Sequence, residues 1–216
     1  MGKVLYIVAN PKGMDESYSQ RVGRAFLKSY QWYRPSDEIV MLDLYNMDIP
    51  YIDQKVFGAW DKLVKNQLLT EEEMDLVDYI DDMIEEFVAA ERYIIVCPMW
   101  NSLFPAKLKA YLDIVCFAGR KYQNHENGMI DILNGKKTLF IQARGGEYKT
   151  PEMRVLDFAT PFMKTIFHSL GLTDFRAIHV EGMLQKPHMA KAIERAAIYQ
   201  AREYAAWFAG NRVSQT

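Results

Sequence analysis

The stretch VLYIVA at residues 4–9, followed by NPKGMDESYS at residues 10–19, carries the strongest fold signal in the sequence. The first part is apolar throughout and lacks the alternation of a half-exposed strand, which is typical of a strand buried on both faces. The second part is polar, and Ser17 stands where a helix would begin, as its N-cap. A buried strand that leads through a polar loop into a helix predicts the first unit of a parallel α/β sheet.

Four further apolar runs repeat this unit along the chain. They are EIVMLDL (38–44), YIIVC (93–97), TLFIQ (138–142) and FRAIHV (175–180). The predicted helices cover residues 17–33, 70–90, 105–117, 151–170 and 188–209, and the second opens with TEEE, a capping box that pairs Thr70 with Glu73. Strands that alternate with long helices predict a five-stranded parallel sheet, doubly wound in the order 2-1-3-4-5, with helices on both faces.

Residues 1–216 are predicted to form a single domain, because no repeat, low-complexity segment or linker divides them. The segment 46–69 is longer than a minimal connection and contains Pro50, Phe57 and Trp60. Long segments without a strong pattern are often functional or interfacial. A surface excursion packed by its own aromatic residues is the alternative, and the sequence leaves both open.

Composition argues against several classes of function. The net charge of −2, from 26 basic and 28 acidic residues, lacks the basic excess of a nucleic-acid-binding protein. No apolar run reaches the ~18 residues of a membrane span, and residues 1–10 lack the features of a secretion signal. Cys97 and Cys116 lie in apolar segments and are predicted to be reduced core thiols of a cytoplasmic protein, and no Cys/His cluster indicates a metal site.

In a doubly wound sheet, ligands bind beyond the carboxyl ends of the strands, so the loops after the first, third and fourth strands form the candidate site. The first loop, residues 9–19, meets a helix N-terminus, whose free N–H groups bind phosphate, and Ser17 and Ser19 add hydroxyl donors. It has neither the GxGxxG of a dinucleotide fold nor the GxxxxGK[ST] of a nucleotide triphosphatase, which favours a single phosphate. An ordinary N-cap at Ser17 is the alternative.

The second loop begins with PMWN at residues 98–101, directly after the third strand. Met99 and Trp100 would form an apolar wall for a flat ring, and Asn101 would donate to its polar edge; the alternative is an ordinary buried loop corner. The third loop, QARGGEY at residues 142–148, contains two glycines that allow a positive φ and close approach of a ligand. A tight turn that needs glycine for steric reasons alone is the alternative here.

These motifs resemble the FMN-dependent NADH-azoreductases, a branch of the NAD(P)H:quinone oxidoreductase and flavodoxin-like group. The combination of PMWN and ARGG at this spacing is specific, and the similarity extends over nearly the whole chain. The matching pieces are KVLYIVANP (3–11), SYS (17–19), LDLYNMDIPYID (42–53), PMWN (98–101), PAKLKAYLD (105–113), AG (118–119), ENG (126–128), LNGKK (133–137), QARGG (142–146) and VEGM (180–183).

The resemblance implies a flavodoxin-like fold, one FMN per subunit and a homodimer with two sites at its interface. It also implies that quinones and azo compounds are reduced by two electrons from NADH or NADPH in a ping-pong cycle. By the same resemblance, the phosphate would be held by Ser17, Tyr18 and Ser19, with Asn10 beside them. One side of the ring would be held by Pro98, Met99, Trp100, Asn101 and Ser102, and its other edge by Ala143, Arg144, Gly145 and Gly146.

The sequence departs from the family pattern around the site. Family members often carry aromatic residues in a TFxYTENG-like stretch, which here reads AGRKYQNHENG (118–128), with Tyr122 in the aromatic place. Ser102 replaces a common Phe, and Glu147 adds a negative charge near the site mouth. Tyr122, His125 and Tyr148 are candidates for orienting the acceptor or relaying protons, and no side chain needs to act as a nucleophile.

Two other functions stay open on the sequence alone. A flavodoxin-type electron carrier without hydride chemistry would be smaller and more acidic, and a non-catalytic binding protein could use the same fold. The near-neutral charge and the long segment 46–69 favour the enzyme over the electron carrier.

Overall fold

The computed structural model describes residues 1–117 and 133–210. At its centre lies a five-stranded parallel sheet in the order β2-β1-β3-β4-β5, which confirms the predicted doubly wound topology. The strands are β1 (Lys3–Val8), β2 (Glu38–Asp43), β3 (Arg92–Pro98), β4 (Lys137–Ala143) and β5 (Asp174–Val180), and all of them lie where the apolar runs predicted strands.

The helices follow the predicted alternation with the strands. They are α1 (Tyr18–Tyr33), α2 (Gln54–Val64), α3 (Glu71–Ala89), α4 (Ala106–Phe117), α5 (Pro151–Arg154), α6 (Ala159–His168) and α7 (Ala190–Phe208), the last preceded by a 3₁₀ turn at Pro187–Met189. Ser17 is the N-cap of α1, and its hydroxyl accepts a hydrogen bond from the Gln20 N–H. Thr70 and Glu73 form the predicted capping box at the start of α3.

Strand β1 shows why its sequence lacks alternation. Leu5 and Ile7 pack into a core with residues of α3, α4 and α6 on one side of the sheet. Val4, Tyr6 and Val8 pack into a second core with residues of α1 and α7 on the other side. Helices therefore cover both faces, as predicted, and a strand between two cores is apolar at each of these positions.

The predicted helix over residues 151–170 is wrong, because the structure divides it into α5 and α6. Pro161 lies in the first turn of α6, where its missing N–H breaks no helical hydrogen bond, whereas inside one long helix it would break one. The linking residues are held by other contacts. The Phe158 N–H donates to the Ser102 carbonyl at 3.1 Å, and the Asp157 carboxylate caps the first turn of α6.

The segment 46–69 contains helix α2 and is not simply a long loop. Asp53 is its N-cap, and the carboxylate accepts two hydrogen bonds from N–H groups of the first turn. The aromatic-packing alternative is partly correct: the rings of Phe57 and Trp60 meet edge-on with centres 5.9 Å apart. Trp60 also stacks on Phe117 at the end of α4, at 4.7 Å, so the excursion is anchored to the body of the fold.

No helix in the described part of the chain has the length and apolar character needed to cross a membrane. The same residues contain no group of His, Cys, Asp and Glu side chains arranged to hold a metal ion. Cys97 and Cys116 are free, and burial raises the pKa of both thiols well above the ordinary value. Both thiols therefore stay protonated at neutral pH.

Candidate functional site

The loops that follow β1, β3 and β4 lie side by side at the carboxyl edge of the sheet. β1 and β3 are paired as far as Val8 and Val96, and β3 and β4 are paired as far as Pro98 and Ala143. The Met99 N–H continues the second ladder by donating to the Ala143 carbonyl at 2.8 Å. The structure therefore brings together the three loops that the sequence predicted as the site.

The first loop is organised by a chain of buried polar side chains. The Asn10 Nδ2 donates to the Ser17 Oγ at 2.7 Å, and the hydroxyls of Ser17 and Ser19 lie 3.1 Å apart. The Asn10 Oδ1 accepts from the Lys12 N–H at 3.0 Å, which fixes the direction in which the chain leaves β1. Ser17 is thus a helix cap, and it is also part of a polar cluster that a cap alone does not require.

Two donors at the start of α1 remain available. The N–H groups of Tyr18 and Ser19 donate no hydrogen bond within residues 1–117 and 133–210. They lie at the positive end of the helix dipole, where anions are stabilised. The Tyr18 ring packs under the Arg21 guanidinium at 4.5 Å, so Tyr18 offers its backbone to a ligand here.

The second loop forms a two-residue turn from Trp100 to Leu103. The N–H of each of these residues donates to the carbonyl of the other at 3.0 Å. Between them, Asn101 has a φ of 48° and Ser102 a φ of 64°, the left-handed pair that defines a type I′ turn. Asn tolerates this conformation, but Ser is strained in it, and such strain is concentrated at functional sites.

The side chains of this loop divide between the core and the surface. Pro98 ends β3 as predicted, and Met99 is partly buried, with part of its side chain packed against the hydrophobic core. Trp100 is 44% exposed and meets the ring of Tyr45 edge-on at 6.5 Å. The Asn101 side chain is exposed and makes no hydrogen bond to the described residues, so its amide is free to donate.

The third loop presents two free N–H groups in one direction. The carbonyls of Arg144, Gly145 and Gly146 all accept hydrogen bonds, of 3.0–3.2 Å, from backbone N–H groups of residues 182–185. In a trans peptide the following N–H points opposite to the carbonyl. The N–H groups of Gly145 and Gly146 therefore point away from 182–185, and they donate to no described residue.

The glycines of this loop do not use the positive φ that their sequence allows, since neither has one. A Cβ on Gly145 would lie 2.8 Å from the Leu184 Cδ1, which belongs to a side chain that is 83% exposed and can turn away. Steric crowding by other residues of the chain therefore does not by itself require glycine at position 145. The bare backbone instead favours close approach of a ligand to the two free N–H groups.

Arg144 is 2% exposed, and its guanidinium is turned into the protein. Its Nε donates to the Gln142 Oε1 at 2.9 Å, and its Nη1 donates to the Glu181 Oε1 at 3.0 Å. Its Nη2 donates to the Asp157 Oδ2 at 2.9 Å and to the Thr160 Oγ1 at 2.8 Å. Sequence reasoning missed this cluster because its members come from separate segments; the available signal was a charged residue directly after a buried strand.

His179 extends this cluster beneath the third loop. Its Nε2 lies 3.0 Å from the Thr160 Oγ1, which can donate to it while accepting from Arg144. Burial lowers the pKa of His179 to about 4, and the positive charge of Arg144 adds to this lowering, so the ring is neutral at neutral pH. Burial acts to raise the pKa of Asp157, but the Thr160 hydrogen bonds and the Arg144 charge outweigh it and hold that pKa low.

Glu147 does not add an uncompensated negative charge to the site mouth. Its carboxylate lies 2.6 Å from the Lys186 Nζ and 3.2 Å from the Lys149 Nζ. Hydrogen bonds from these two lysines lower the pKa of Glu147. The three side chains together carry a positive charge.

Of the residues predicted to orient the acceptor, Tyr148 lies within the described part of the chain. Its ring centre is 5.2 Å from the Arg144 guanidinium carbon, which it covers. Tyr122 and His125 belong to residues 118–132 and lie outside the described residues. Their proposed roles stay predictions.

The free donors fit a ligand with one phosphate and a flat ring that has a polar edge. At one end lie the start of α1 and the buried hydroxyl of Ser19, and at the other lie the Asn101 amide and the N–H groups of Gly145 and Gly146. This arrangement sits at the point where the strand order reverses between β1 and β3. Such a sheet with such a site defines the flavodoxin-like class of mononucleotide-binding proteins.

Comparison with known proteins agrees with this class. A family profile described as a flavodoxin-like fold matches residues 2–205. The chain is 42% identical to FMN-dependent NADH:quinone oxidoreductase 3 of a Bacillus cereus strain, over 96% of this chain and 100% of that protein. It is 38% identical to an FMN-dependent NADH:quinone oxidoreductase of Geobacillus kaustophilus, over the same shares of the two chains.

A solved structure is similar over nearly the full length. The crystal structure of an FMN-dependent NADH-azoreductase from Bacillus anthracis, in complex with FMN, matches with a TM-score of 0.89 and 30% identity. The match covers 97% of this chain and 100% of that one. The chain belongs to the family of the FMN-dependent NADH:quinone oxidoreductases and azoreductases, within the flavodoxin-like fold.

Proposed function

We propose that the protein is an FMN-dependent NAD(P)H oxidoreductase that reduces quinones and azo compounds by two-electron transfer. The observation that carries this proposal is the pair of free N–H groups on Gly145 and Gly146, which share the carboxyl edge of the sheet with the hydroxyl cluster at the start of α1. The relatives named above are described as enzymes of this chemistry.

The chain's own residues would bind FMN in two places. The phosphate would be held by the N–H groups of Tyr18 and Ser19 and by the hydroxyl cluster that Asn10 organises. The ring would be held by two segments. One consists of Pro98, Met99, Trp100, Asn101 and Ser102, and the other of Ala143, Arg144, Gly145 and Gly146. Within these segments, the Asn101 amide and the two glycine N–H groups are available to donate to the ring, whereas four of the five N–H donors of the Arg144 guanidinium are engaged within the protein.

Bound FMN would supply the hydride-accepting and electron-donating chemistry. The residues around it would bind, orient and exclude water. Donors at the polar edge of the ring stabilise the negative charge that develops there on reduction. Trp100 offers an exposed apolar face beside the ring site, where nicotinamide donor and acceptor would stack in turn, as a ping-pong cycle requires.

We further propose that the chain acts as a single domain, in a cytoplasmic homodimer. Large apolar side chains are exposed in the segments that follow the carboxyl ends of the strands: Tyr51, Phe57, Trp100, Val155, Leu156, Phe158 and Leu184. Exposed apolar side chains in these segments support burial against a second copy. Free, protonated cysteines suit a reducing compartment. Light scattering coupled to gel filtration should give twice the mass of one chain.

The test is an anaerobic stopped-flow experiment on protein reconstituted with FMN. Rapid loss of the visible flavin absorbance on mixing with NADH or NADPH, and its recovery on adding a quinone or azo dye, is expected. Comparison of the two nicotinamides ranks the donors. A flavin that binds but is bleached by neither would point to an electron carrier, and failure to bind FMN would favour a non-catalytic binding protein.

A further inference from the structure

The two ring-binding segments come from different strands, and their separation must be set by contacts outside the ligand. One segment is the turn from Trp100 to Leu103, and the other is the Gly145–Gly146 loop. The turn is joined to the end of β4 by the hydrogen bond from the Met99 N–H to the Ala143 carbonyl, which lies before the turn begins. A further tether is needed to fix the turn itself.

Gln142 provides one such tether between Arg144 and the turn. Its Oε1 accepts from the Arg144 Nε at 2.9 Å, and its Nε2 donates to the Leu103 carbonyl at 3.3 Å. The amide orientation is unambiguous, because a guanidinium can only donate and a carbonyl can only accept. Gln142 is fully buried, so water does not compete for these contacts.

Asp157 provides a second tether from the same guanidinium. Its Oδ2 accepts from the Arg144 Nη2 at 2.9 Å. The next residue, Phe158, donates its N–H to the Ser102 carbonyl at 3.1 Å. Consecutive carbonyls of the turn, on Ser102 and Leu103, are therefore linked to Arg144, one through Asp157 and Phe158 and the other through Gln142.

We propose that Arg144 is a positioning residue that holds the Trp100–Leu103 turn in register with the Gly145–Gly146 loop, through Gln142 on one side and Asp157 on the other. This inference rests on the proposed function, in which both segments bind the ring. Arg144 continues directly into Gly145 along the backbone, so one buried side chain sets the geometry of both segments. Donors that must meet one rigid ring tolerate little displacement.

Removing Arg144 itself is a poor test, because the largely buried carboxylates of Asp157 and Glu181 would lose their cationic partner, which destabilises the fold as a whole. Gln142→Glu is sharper, since it keeps an acceptor for the Arg144 Nε and replaces the donor to Leu103 by an oxygen. Gln142→Met is the second variant, which removes the tether without adding a charge. Thr160→Val is the matched control, because it removes a hydrogen bond from the same guanidinium without touching the turn.

The first readout is hydrogen exchange in the FMN-free protein, measured at the backbone amides of the turn. Both Gln142 variants should raise exchange at the Trp100 and Leu103 amides by about tenfold or more, since about 1.4 kcal/mol of local stability corresponds to tenfold. Thr160→Val should lower the melting temperature and leave exchange at the turn unchanged relative to the rest of the protein.

The second readout is the dissociation constant of FMN, from the quenching of flavin fluorescence. It should rise by about tenfold in the Gln142 variants and stay unchanged in Thr160→Val. Unchanged exchange and affinity in both Gln142 variants would overturn the inference, as would equal effects of Thr160→Val. If the unmodified protein does not bind FMN, the proposed function fails, and exchange at the turn alone decides whether Arg144 positions it.

Discussion

At the scale of single residues, the two left-handed positions of the Trp100–Leu103 turn differ in their chemistry. Asn101 adopts a φ of 48° with the help of a short polar side chain, whereas Ser102, at 64°, lies in a conformation that favours glycine. We expect Ser102→Gly to stabilise the FMN-free protein by about 1 kcal/mol, measured by urea denaturation. Ser102→Ala removes the hydroxyl but keeps the strain, so it should show no gain; an equal gain would refute the backbone explanation.

Asn101 is the residue whose side chain is exposed and free to donate to a ring. Asn101→Ala should raise the FMN dissociation constant by about tenfold, the effect of losing one hydrogen bond to the polar edge of the ring. Equilibrium titration of the flavin measures it.

Asn66 offers the control for this variant, because it has a similar φ of 53° and lies after α2, outside the three loops of the candidate site. Asn66→Ala should cost a similar backbone strain and leave FMN affinity unchanged. If both variants weaken binding equally, or neither does, Asn101 is not a ring donor.

At the scale of elements, α1 lies against the sheet at Gly23. A Cβ at this position would lie 2.3 Å from the Tyr6 Oη and 3.0 Å from the Val96 Cγ2. We expect Gly23→Ala to destabilise the protein by about 1–3 kcal/mol, because the core has no room for it. In a Tyr6→Phe background the nearest atom is absent, so the penalty should fall by about 1 kcal/mol or more in a double-mutant cycle.

Gly58 in α2 provides the opposite case, since a Cβ there would meet no atom within 4 Å. Gly58→Ala should stabilise the protein by about 1 kcal/mol through helix propensity. Thermal denaturation of the variants compares the two glycines directly. The prediction for Gly23 is wrong if both substitutions stabilise.

Also at this scale, the contrast between α3 and α5–α6 shows what a local pattern can predict. The capping box of Thr70 and Glu73 involves residues three apart, so the sequence predicts the start of α3. The break before α6 depends on Asp157 and Phe158, which bond to Arg144 and Ser102 on other segments. Pro161 is the local sequence signal for this break, because proline is favoured in the first turn of a helix and disfavoured in its interior.

At the scale of the whole molecule, His179 couples the buried cluster to global stability. Its pKa is about 4 in the folded protein and 6.5 when unperturbed, so the unfolded chain binds the proton more tightly. Its contribution is therefore present above pH 6.5 and is lost as the pH falls from 6.5 towards 4. The free energy of unfolding should fall across this window by up to about 3 kcal/mol, measured by denaturant titration at a series of pH values.

His179→Gln should flatten the dependence in this window. Arg144, Asp157 and Lys164 are the charged groups that act on His179, and Asp157 has a pKa held below its ordinary value of 3.8. The contribution of Asp157 to the pH dependence of stability therefore appears below this pH window, so it can be separated from the contribution of His179. A slope between pH 6.5 and 4 that survives in His179→Gln would assign it to another group.

The sequence by itself determined the strands, their order and the three loops of the candidate site, because each depends on local patterns: apolar runs, helix caps and loops at one edge of a parallel sheet. It also predicted Asn101, Gly145 and Gly146 as ring contacts, and Asn101 is a residue type that tolerates the positive φ found there. Only the tertiary structure decided where the Arg144 side chain lies, which is inside the protein, whereas the sequence placed Arg144 among the ring contacts. Its hydrogen-bond partners come from separate segments of the chain: Gln142, Asp157, Thr160 and Glu181. A local sequence pattern does not predict which distant groups contact a buried charge.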